Sequence, residues 1–205
     1  FHNFKQTYFL KERQYFESLE KAQNPKTLVV ACCDSRVDPA ILLHCKPGDL
    51  FVIRNVAALV PAETQASNPC SVMSAIEYGV KHLNVEHIVV MGHSHCGGIH
   101  GLMTPESIAG ETYIQDWVGI ASPALERLQA MTGDEDEKTR SRHCEEGAVL
   151  ISLDNLLSYP WIAERVKNGQ LKLHALYYDL SEGNLYRFSP DSEDFELLFH
   201  TIENP

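Results

Sequence analysis

The 205-residue sequence lacks several features that would place it in other classes of protein. No apolar run approaches the roughly 20 residues that a membrane-spanning helix needs, so we expect no membrane partner. Cations are scarce, with 17 Lys and Arg against 28 Asp and Glu, whereas nucleic-acid binding depends on clustered cations. The sequence also has no repeat, no low-complexity linker and no C-x-x-C pair. These absences exclude a nucleic-acid partner and a thioredoxin-like redox motif.

The composition is that of a globular domain. Hydrophobic residues make up 44% and charged residues 22%, which excludes a disordered chain. Because no linker divides the sequence, residues 1–205 are predicted to form one domain, with an α/β core over residues 24–205. Residues 1–23 carry too many aromatic side chains for a solvated tail and are predicted to form an N-terminal helical arm. The arm is expected to pack on a partner subunit or, equally, on its own core.

Continuous apolar runs predict buried parallel strands, because strands covered on both faces do not alternate in polarity. The three runs are Leu28–Cys32, Leu50–Ile53 and His87–Met91. Two further apolar segments, 171–180 and 185–188, flank a turn-rich stretch and predict a hairpin or two adjacent strands. The sheet is therefore predicted to be mixed and mostly parallel, with helices on its faces.

The clearest helix is predicted to begin at Asn68–Pro69, a capping residue followed by proline at the first helical position. Apolar residues follow at helical spacing and form one stripe, which we expect to pack on a face of the sheet. The stripe consists of Val72, Ile76, Val80 and Leu83.

Two of the predicted strands run into chemically unusual residues. The first ends in Cys32-Cys33-Asp34-Ser35-Arg36, and the third continues into Gly92-His93-Ser94-His95-Cys96-Gly97-Gly98. Because ligands of open α/β sheets bind beyond the carboxyl ends of the strands, both clusters are expected to face one site.

Cysteine thiolates together with a histidine are typical ligands of zinc, and three protein ligands with one open position are typical of a catalytic site. The spacing leaves Cys32 or Cys33 as the ligand from the first strand, and His93 or His95 as the companion of Cys96. Strand alternation places Cys32 and Asp34 on the same face, so a site that uses Asp34 would use Cys32.

The two motifs resemble those of the β class of carbonic anhydrases. The family pattern C-x-D-S-R followed by H-x-x-C corresponds to residues 32–36 and 93–96, and the strand at residues 51–57 is also similar. The resemblance is close from Gln23 to about Leu102 and looser elsewhere. The pair of motifs at this separation is highly specific, whereas either motif alone would be weak.

The resemblance implies that Cys32, His93 and Cys96 are the zinc ligands. It also implies that Asp34 and Arg36 act as a functional pair, with Arg36 holding Asp34 ionised so that the carboxylate orients zinc-bound hydroxide. The implied reaction is the reversible hydration of CO2 to bicarbonate and a proton.

The resemblance further implies that Gln23, Phe51 and Tyr78 form the walls of an apolar substrate pocket. In the family the equivalent of Gln23 reaches the site of the neighbouring subunit, so the expected active unit is a homodimer, alone or within a tetramer or larger assembly.

Two other functions stay open from the sequence. One is a carbon disulfide or carbonyl sulfide hydrolase on the same scaffold, and the other is a zinc- or bicarbonate-binding protein without turnover. The sequence begins at Phe1 rather than Met, so we expect that its native start has been trimmed. We expect a cytoplasmic protein, with an organellar location as the alternative.

Overall fold

Six strands form one sheet in the computed structural model, which describes residues 1–67, 69–131, 133 and 135–198. The strands are β1 (Thr27–Cys32), β2 (Leu50–Asn55), β3 (His87–His93), β4 (Lys172–Asp179), β5 (Asn184–Ser189) and β6 (Asp194–Leu197). Their order across the sheet is β2-β1-β3-β4-β5-β6. Strands β2, β1, β3 and β4 are parallel to one another, whereas β5 pairs antiparallel with β4 and β6 pairs antiparallel with β5. The mixed, mostly parallel sheet is thus confirmed.

Helices connect the parallel strands and cover the sheet. They are α1 (His2–Phe4), α2 (Arg13–Lys21), α3 (Pro39–Leu42), α4 (Ser71–Lys81), α5 (Gly97–Met103), α6 (Thr112–Val118), α7 (Ser122–Ala130), α8 (Glu137–Leu157) and α9 (Pro160–Lys167). A turn of π-helix occurs at Lys5–Phe9, and turns of 3-10 helix occur at Val56–Ala58, Pro105–Ile108 and Gly119–Ala121. None of the helices in the described part of the chain combines the length and the apolar character needed to cross a bilayer.

The main core lies between the sheet and helices α4, α8 and α9. Alternate residues of β1, such as Leu28 and Val30, pack there against the stripe of α4, and both are fully buried. The intervening residues Val29 and Ala31 point to the opposite face and pack with Leu42 of α3. The run of residues 28–32 is therefore continuously apolar because both faces of β1 are covered.

The start of α4 differs from its prediction. The helix begins at Ser71, with Cys70 as its N-cap in an extended conformation, so Pro69 precedes the helix instead of occupying its first position. Asn68 lies outside the described residues. Val72, Ile76 and Val80 are buried as the periodicity predicts, whereas Leu83 lies beyond the last helical residue.

The N-terminal arm is helical but lies on the surface, with no buried residue in α1 or α2. Its aromatic side chains pack mainly on one another, with Phe16 in contact with Phe4, Tyr8 and Phe9. The Tyr15 hydroxyl attaches the arm to the core by donating to the Pro47 carbonyl over 2.6 Å. The arm thus presents an aromatic cluster on the outside of the single chain.

Helix α8 approaches β3 closely because residue 92 has no side chain. A Cβ added at Gly92 would lie 2.5 Å from Cγ2 of Val149. Gly92→Ala should therefore lower the free energy of unfolding by about 1–3 kcal/mol through overpacking, which thermal unfolding followed by circular dichroism would measure.

Gly119→Ala is the matched control for this substitution. A Cβ at Gly119 meets nothing within 4 Å, and its backbone is right-handed helical, so the effect should stay within about 0.5 kcal/mol. Equal stability losses in the two variants would contradict the close approach of α8 to β3.

Candidate metal centre

The pairing of β1 with β3 brings the two motifs together. The strands are parallel neighbours in a register that sets Ala31 opposite Met91. The two segments that follow β1 and β3 therefore leave the sheet at the same edge. Cys32 is the last residue of β1 and His93 the last of β3, and Cys96 follows after a short turn. One ligand atom from each of these three residues lies within 4.8 Å of the others.

The three residues are shielded from solvent and suitably oriented for a metal ion. Cys32, His93 and Cys96 are 4%, 2% and 3% exposed. Nδ1 of His93 lies 2.8 Å from the Ser94 carbonyl, which fixes this nitrogen as the N–H donor and leaves Nε2 as an acceptor. Within the described residues, Nε2 is the buried side-chain nitrogen or oxygen that has no hydrogen-bond partner. A cation among the two sulfurs and Nε2 would satisfy it, and this donor set is one that zinc prefers.

The two thiols differ in their readiness to ionise. The neighbouring Cys96 thiol lowers the pKa of Cys32 to about 4, and the Cys32 thiolate raises the pKa of Cys96 well above its usual range. Thiolates are the form that binds metal, so Cys32 is poised as a ligand. Cys33 is exposed, yet partial desolvation of its sulfur and the charge of the Cys32 thiolate raise the pKa of its thiol, which distinguishes it from its neighbour.

Backbone N–H groups also point at the sulfur of Cys32. The amides of Asp34 and Ala57 donate to Sγ over 3.4 and 3.3 Å. The turn that delivers the second amide is strained, because Ala57 and Ala58 both have positive φ, 63° and 55°. Asn55 braces this turn through two 2.9 Å hydrogen bonds with the backbone of Leu59. These hydrogen bonds stabilise the strained turn, which lies next to the Cys32 sulfur.

Residues outside the two motifs hold this turn from the other side. The indole N–H of Trp117 donates to the Val56 carbonyl over 2.8 Å. Gly98 allows α5 to approach, since a Cβ there would lie 2.6 Å from Cγ1 of Val56.

Asp34 and Arg36 form a bidentate ion pair beside the centre. Nε of Arg36 donates to Oδ1 of Asp34 over 2.9 Å and Nη2 donates to Oδ2 over 2.7 Å. The guanidinium holds the pKa of the carboxyl well below its usual range. Nη2 of Arg36 also donates to the His95 carbonyl over 3.1 Å, so the ion pair connects the loop after β1 with the turn after β3.

Arg54 of β2 keeps the first of these loops in place. Its guanidinium donates to the carbonyls of Cys32, Asp34 and Val37 over 3.1, 2.7 and 2.9 Å. It also pairs with Asp38 at 3.4 Å. This arginine is thus committed to the chain's own backbone and to a neighbouring carboxylate.

A cavity of about 630 Å³ adjoins Cys96. It is lined by the turn at residues 94–97 and by residues of α5, α8 and the β4–β5 hairpin. Glu145 faces it as a buried carboxylate that accepts a hydrogen bond from the Cys96 amide over 3.0 Å. No local sequence motif distinguishes Glu145, Asn55 or Trp117, so the sequence did not predict a role for these residues.

The comparisons with known proteins agree with this geometry. Residues 27–185 match the family model described as carbonic anhydrase. Among curated proteins, β-carbonic anhydrase 5, chloroplastic, of Arabidopsis thaliana is 39% identical over 189 residues, and this alignment covers 92% of the present chain. β-Carbonic anhydrase 6, mitochondrial, of the same plant is 40% identical over 200 residues and 95% of the chain. The chain belongs to the β class of carbonic anhydrases.

Solved structures of β-carbonic anhydrases share the fold. The β-carbonic anhydrase CcaA superposes with a TM-score of 0.91 at 31% identity, over 96% of this chain and 95% of the other. One of the two tetrameric β-carbonic anhydrases of Sordaria macrospora superposes with a TM-score of 0.74 at 31% identity, over 88% and 89% of the two chains. The chain spans 62% and 68% of the length of the two Arabidopsis relatives.

The pocket residues implied by the β-carbonic anhydrase family lie away from the candidate metal centre of the same chain. Phe51 is set opposite Leu28 in the pairing of β1 with β2, four residues before the level of Cys32, or about 13 Å along the strand. Tyr78 packs beside it, with ring centroids 6.1 Å apart, and is 45% exposed. Gln23 is exposed between α2 and β1. The fold therefore does not bring these three residues to the cluster of Cys32, His93 and Cys96.

Cys32→Ala should abolish metal binding, since it removes the ionised thiol that two backbone amides stabilise. Cys33→Ala is the matched control, because Cys33 is the adjacent residue but is exposed to solvent. Zinc content per chain, measured by atomic emission on purified protein, should fall from about one to near zero only in the first variant. Zinc retained in Cys32→Ala and lost in Cys33→Ala would reverse the choice between the two cysteines.

Proposed function

We propose that this protein catalyses the reversible hydration of CO2 to bicarbonate and a proton, with zinc held by Cys32, His93 and Cys96. The observation that carries the proposal is the convergence of two cysteine sulfurs and the partnerless Nε2 of a buried histidine at adjacent strand ends. Membership of the β-carbonic anhydrase family supports the same reaction.

The three ligands suit a catalytic zinc because they leave one coordination position for water or substrate. When bound, zinc supplies the Lewis acidity that lets a water ionise near neutral pH, an effect for which carbonic anhydrases are themselves the standard example. The amides of Asp34 and Ala57 stabilise negative charge on the Cys32 sulfur and thereby keep this ligand ionised.

Asp34 is proposed to orient the attacking water. Its carboxylate accepts three hydrogen bonds from Arg36, one of them from the backbone amide, and so remains ionised with one acceptor site in reserve. That site would accept a hydrogen bond from the water and so aim the oxygen lone pair at the carbon of CO2. Arg36 also donates to the His95 carbonyl, so it fixes the position of Asp34 relative to the turn that carries Cys96.

CO2 is apolar, so its pocket requires apolar walls near the metal. We assign these walls to Gln23, Phe51 and Tyr78 of a second copy of the chain, because Phe51 lies about 13 Å along the strand from its own cluster and Tyr78 packs beside it. The surface around them is suited to an interface, since Val52 and Tyr78 on adjacent elements are 39% and 45% exposed. The exposed aromatic cluster of the arm would be covered by the same association.

A homodimer is therefore the smallest active unit that we propose. The tetrameric relatives of Sordaria macrospora support further assembly of such dimers. The relatives named as chloroplastic and mitochondrial support an organellar location as the alternative to the cytoplasm, which stays a prediction.

The test of the proposed activity is CO2 hydration by stopped-flow on protein of known zinc content. Zinc-loaded protein should hydrate CO2 and the chelated protein should not. Zinc-dependent release of hydrogen sulfide from carbonyl sulfide without CO2 hydration would indicate the hydrolase instead. Stoichiometric zinc with neither activity would indicate a binding protein.

Asp34→Asn should reduce the rate of CO2 hydration by about 10- to 100-fold while zinc stays near one per chain, because the carboxylate is assigned to orientation rather than to coordination. Asp38→Asn provides the control, since it removes a carboxylate of the same loop that caps α3. It should change the rate far less. Full activity in Asp34→Asn would reject the orienting role.

Mixed dimers should reveal which copy supplies the pocket. Cys32→Ala chains lack a metal centre but keep their pocket residues, and chains carrying both Gln23→Ala and Tyr78→Ala keep the metal centre. Each parent should be nearly inactive, and each mixed dimer should show about half of the wild-type rate, since one complete site forms in it. No recovery in dimers that mass spectrometry verifies as mixed would place the pocket within one chain.

A further inference from the structure

Helix α8 carries two adjacent buried carboxylates with different partners. Glu145 and Glu146 are 5% and 8% exposed. Glu146 is paired with Arg142 one helical turn earlier, at 2.8 Å. None of the ion pairs among the described residues includes Glu145. A buried carboxylate without a cationic partner is costly, so its hydrogen bonds require a functional explanation.

Both oxygens of Glu145 are committed to the surroundings of the metal centre. Oε1 accepts the backbone N–H of Cys96 over 3.0 Å. Oε2 accepts the hydroxyl of Tyr177, a fully buried residue of β4, over 2.7 Å. The tyrosine thus fixes one end of the carboxylate and the other end reaches the main chain of a metal ligand.

The Cys96 amide depends on this acceptor because of its position in the chain. The Ser94 amide still bonds to the sheet through the Tyr178 carbonyl, over 2.9 Å. His95 then turns the chain with a φ of 57°, and Cys96 is the N-cap of α5. The first amides of a helix have no acceptor within the helix, and a buried amide without one is destabilised. Glu145 supplies the acceptor from a different element.

The support is rigid as well as specific. Helix α8 can lie against β3 at this level because Gly92 leaves space for Val149. Glu145 is therefore anchored on a 21-residue helix that packs on the strand carrying His93. A hydrogen bond from such an element defines the position of the turn more closely than a loop residue could.

We propose that Glu145 is a positioning residue that holds Cys96 in its metal-binding geometry through the Cys96 amide. This inference rests on the metal centre proposed above and deepens it. Glu145 does not contact substrate and acts by fixing the turn at residues 94–97, so its loss would leave the sulfur of Cys96 free to move relative to Cys32 and His93.

The experiment compares three substitutions that separate hydrogen bonding from charge. Glu145→Gln keeps an acceptor for the Cys96 amide and removes the charge, and its NH2 group can donate to the Tyr177 hydroxyl in place of the present bond from Tyr177. Glu145→Leu keeps the volume and removes the acceptor. Glu145→Asp keeps the charge but shortens the reach. Glu146→Leu is the matched control, since it makes the same change one residue along the same helix.

Two measurements apply to each variant: the zinc dissociation constant by competition with a chelator, and the thiolate-to-cobalt absorption bands after exchange with Co2+. Glu145→Leu should weaken zinc binding by about 10- to 100-fold and alter the cobalt bands, in the range known for groups that orient metal ligands. Glu145→Gln should stay within about threefold of wild type on the same scale, and Glu146→Leu should leave the cobalt bands unchanged.

Several outcomes would overturn the proposal. Wild-type affinity and spectrum in Glu145→Leu would do so, as would equal changes in Glu146→Leu. If Glu145→Leu does not fold, the comparison of Glu145→Gln with Glu145→Asp tests the proposal. Positioning by hydrogen bonding requires tighter zinc binding in Glu145→Gln than in Glu145→Asp. The reverse order would indicate a charge effect and overturn the proposal. Failure of the wild type to take up zinc would instead reject the proposed metal centre.

Discussion

The parallel pairing of β1 with β3 is the constraint on which the metal centre depends. Neighbouring strands lie about 4.8 Å apart, which is close to the separation that two ligands of one metal ion require. The register places the end of β1 beside the end of β3, and so Cys32 and His93 reach the same point without any long loop.

Around this pair, the main chain supplies most of the polar groups that stabilise the centre. Amides of Asp34 and Ala57 point at one sulfur, and the Cys96 amide is bound by Glu145. Two consecutive alanines with positive φ show that this arrangement is strained and that packing from α5 and α6 maintains it. Backbone groups in a buried site are already oriented, so binding a cation there requires little reorganisation.

The site built by one chain combines charged groups with buried apolar neighbours of Cys32 and Cys96, such as Val37 and Leu59, but the aromatic residues assigned to the substrate pocket are not among them. Its charges are concentrated in the ion pair of Asp34 with Arg36, whereas the aromatic residues assigned to the pocket lie at the opposite end of β2 and on α4. Because CO2 offers little for polar groups to bind, metal chemistry and substrate binding are proposed to come from different copies of the chain. Association would then be a condition of activity and not only of stability.

Much of the fold was predictable from local patterns. Continuous apolar runs marked β1, β2 and β3, and the turn-rich stretch marked the β4–β5 hairpin, because burial on both faces and tight turns each leave a short-range signature. Strand β6 and the long helix α8 were not predicted. Cys144 and Ala148 of α8 pack in one apolar cluster and Val149 and Leu156 in another, so its apolar residues do not follow a single stripe.

The sequence by itself indicated the chemistry that we propose for the centre, since two cysteines, a histidine, an aspartate and an arginine occur at specific spacings within two short motifs. It could not decide from spacing alone between Cys32 and Cys33 or between His93 and His95. Tertiary structure brought Cys32, His93 and Cys96 together, because strand pairing and burial select among neighbours that are chemically alike. It alone revealed Glu145, 49 positions beyond Cys96, since that hydrogen bond depends on how closely α8 packs on β3.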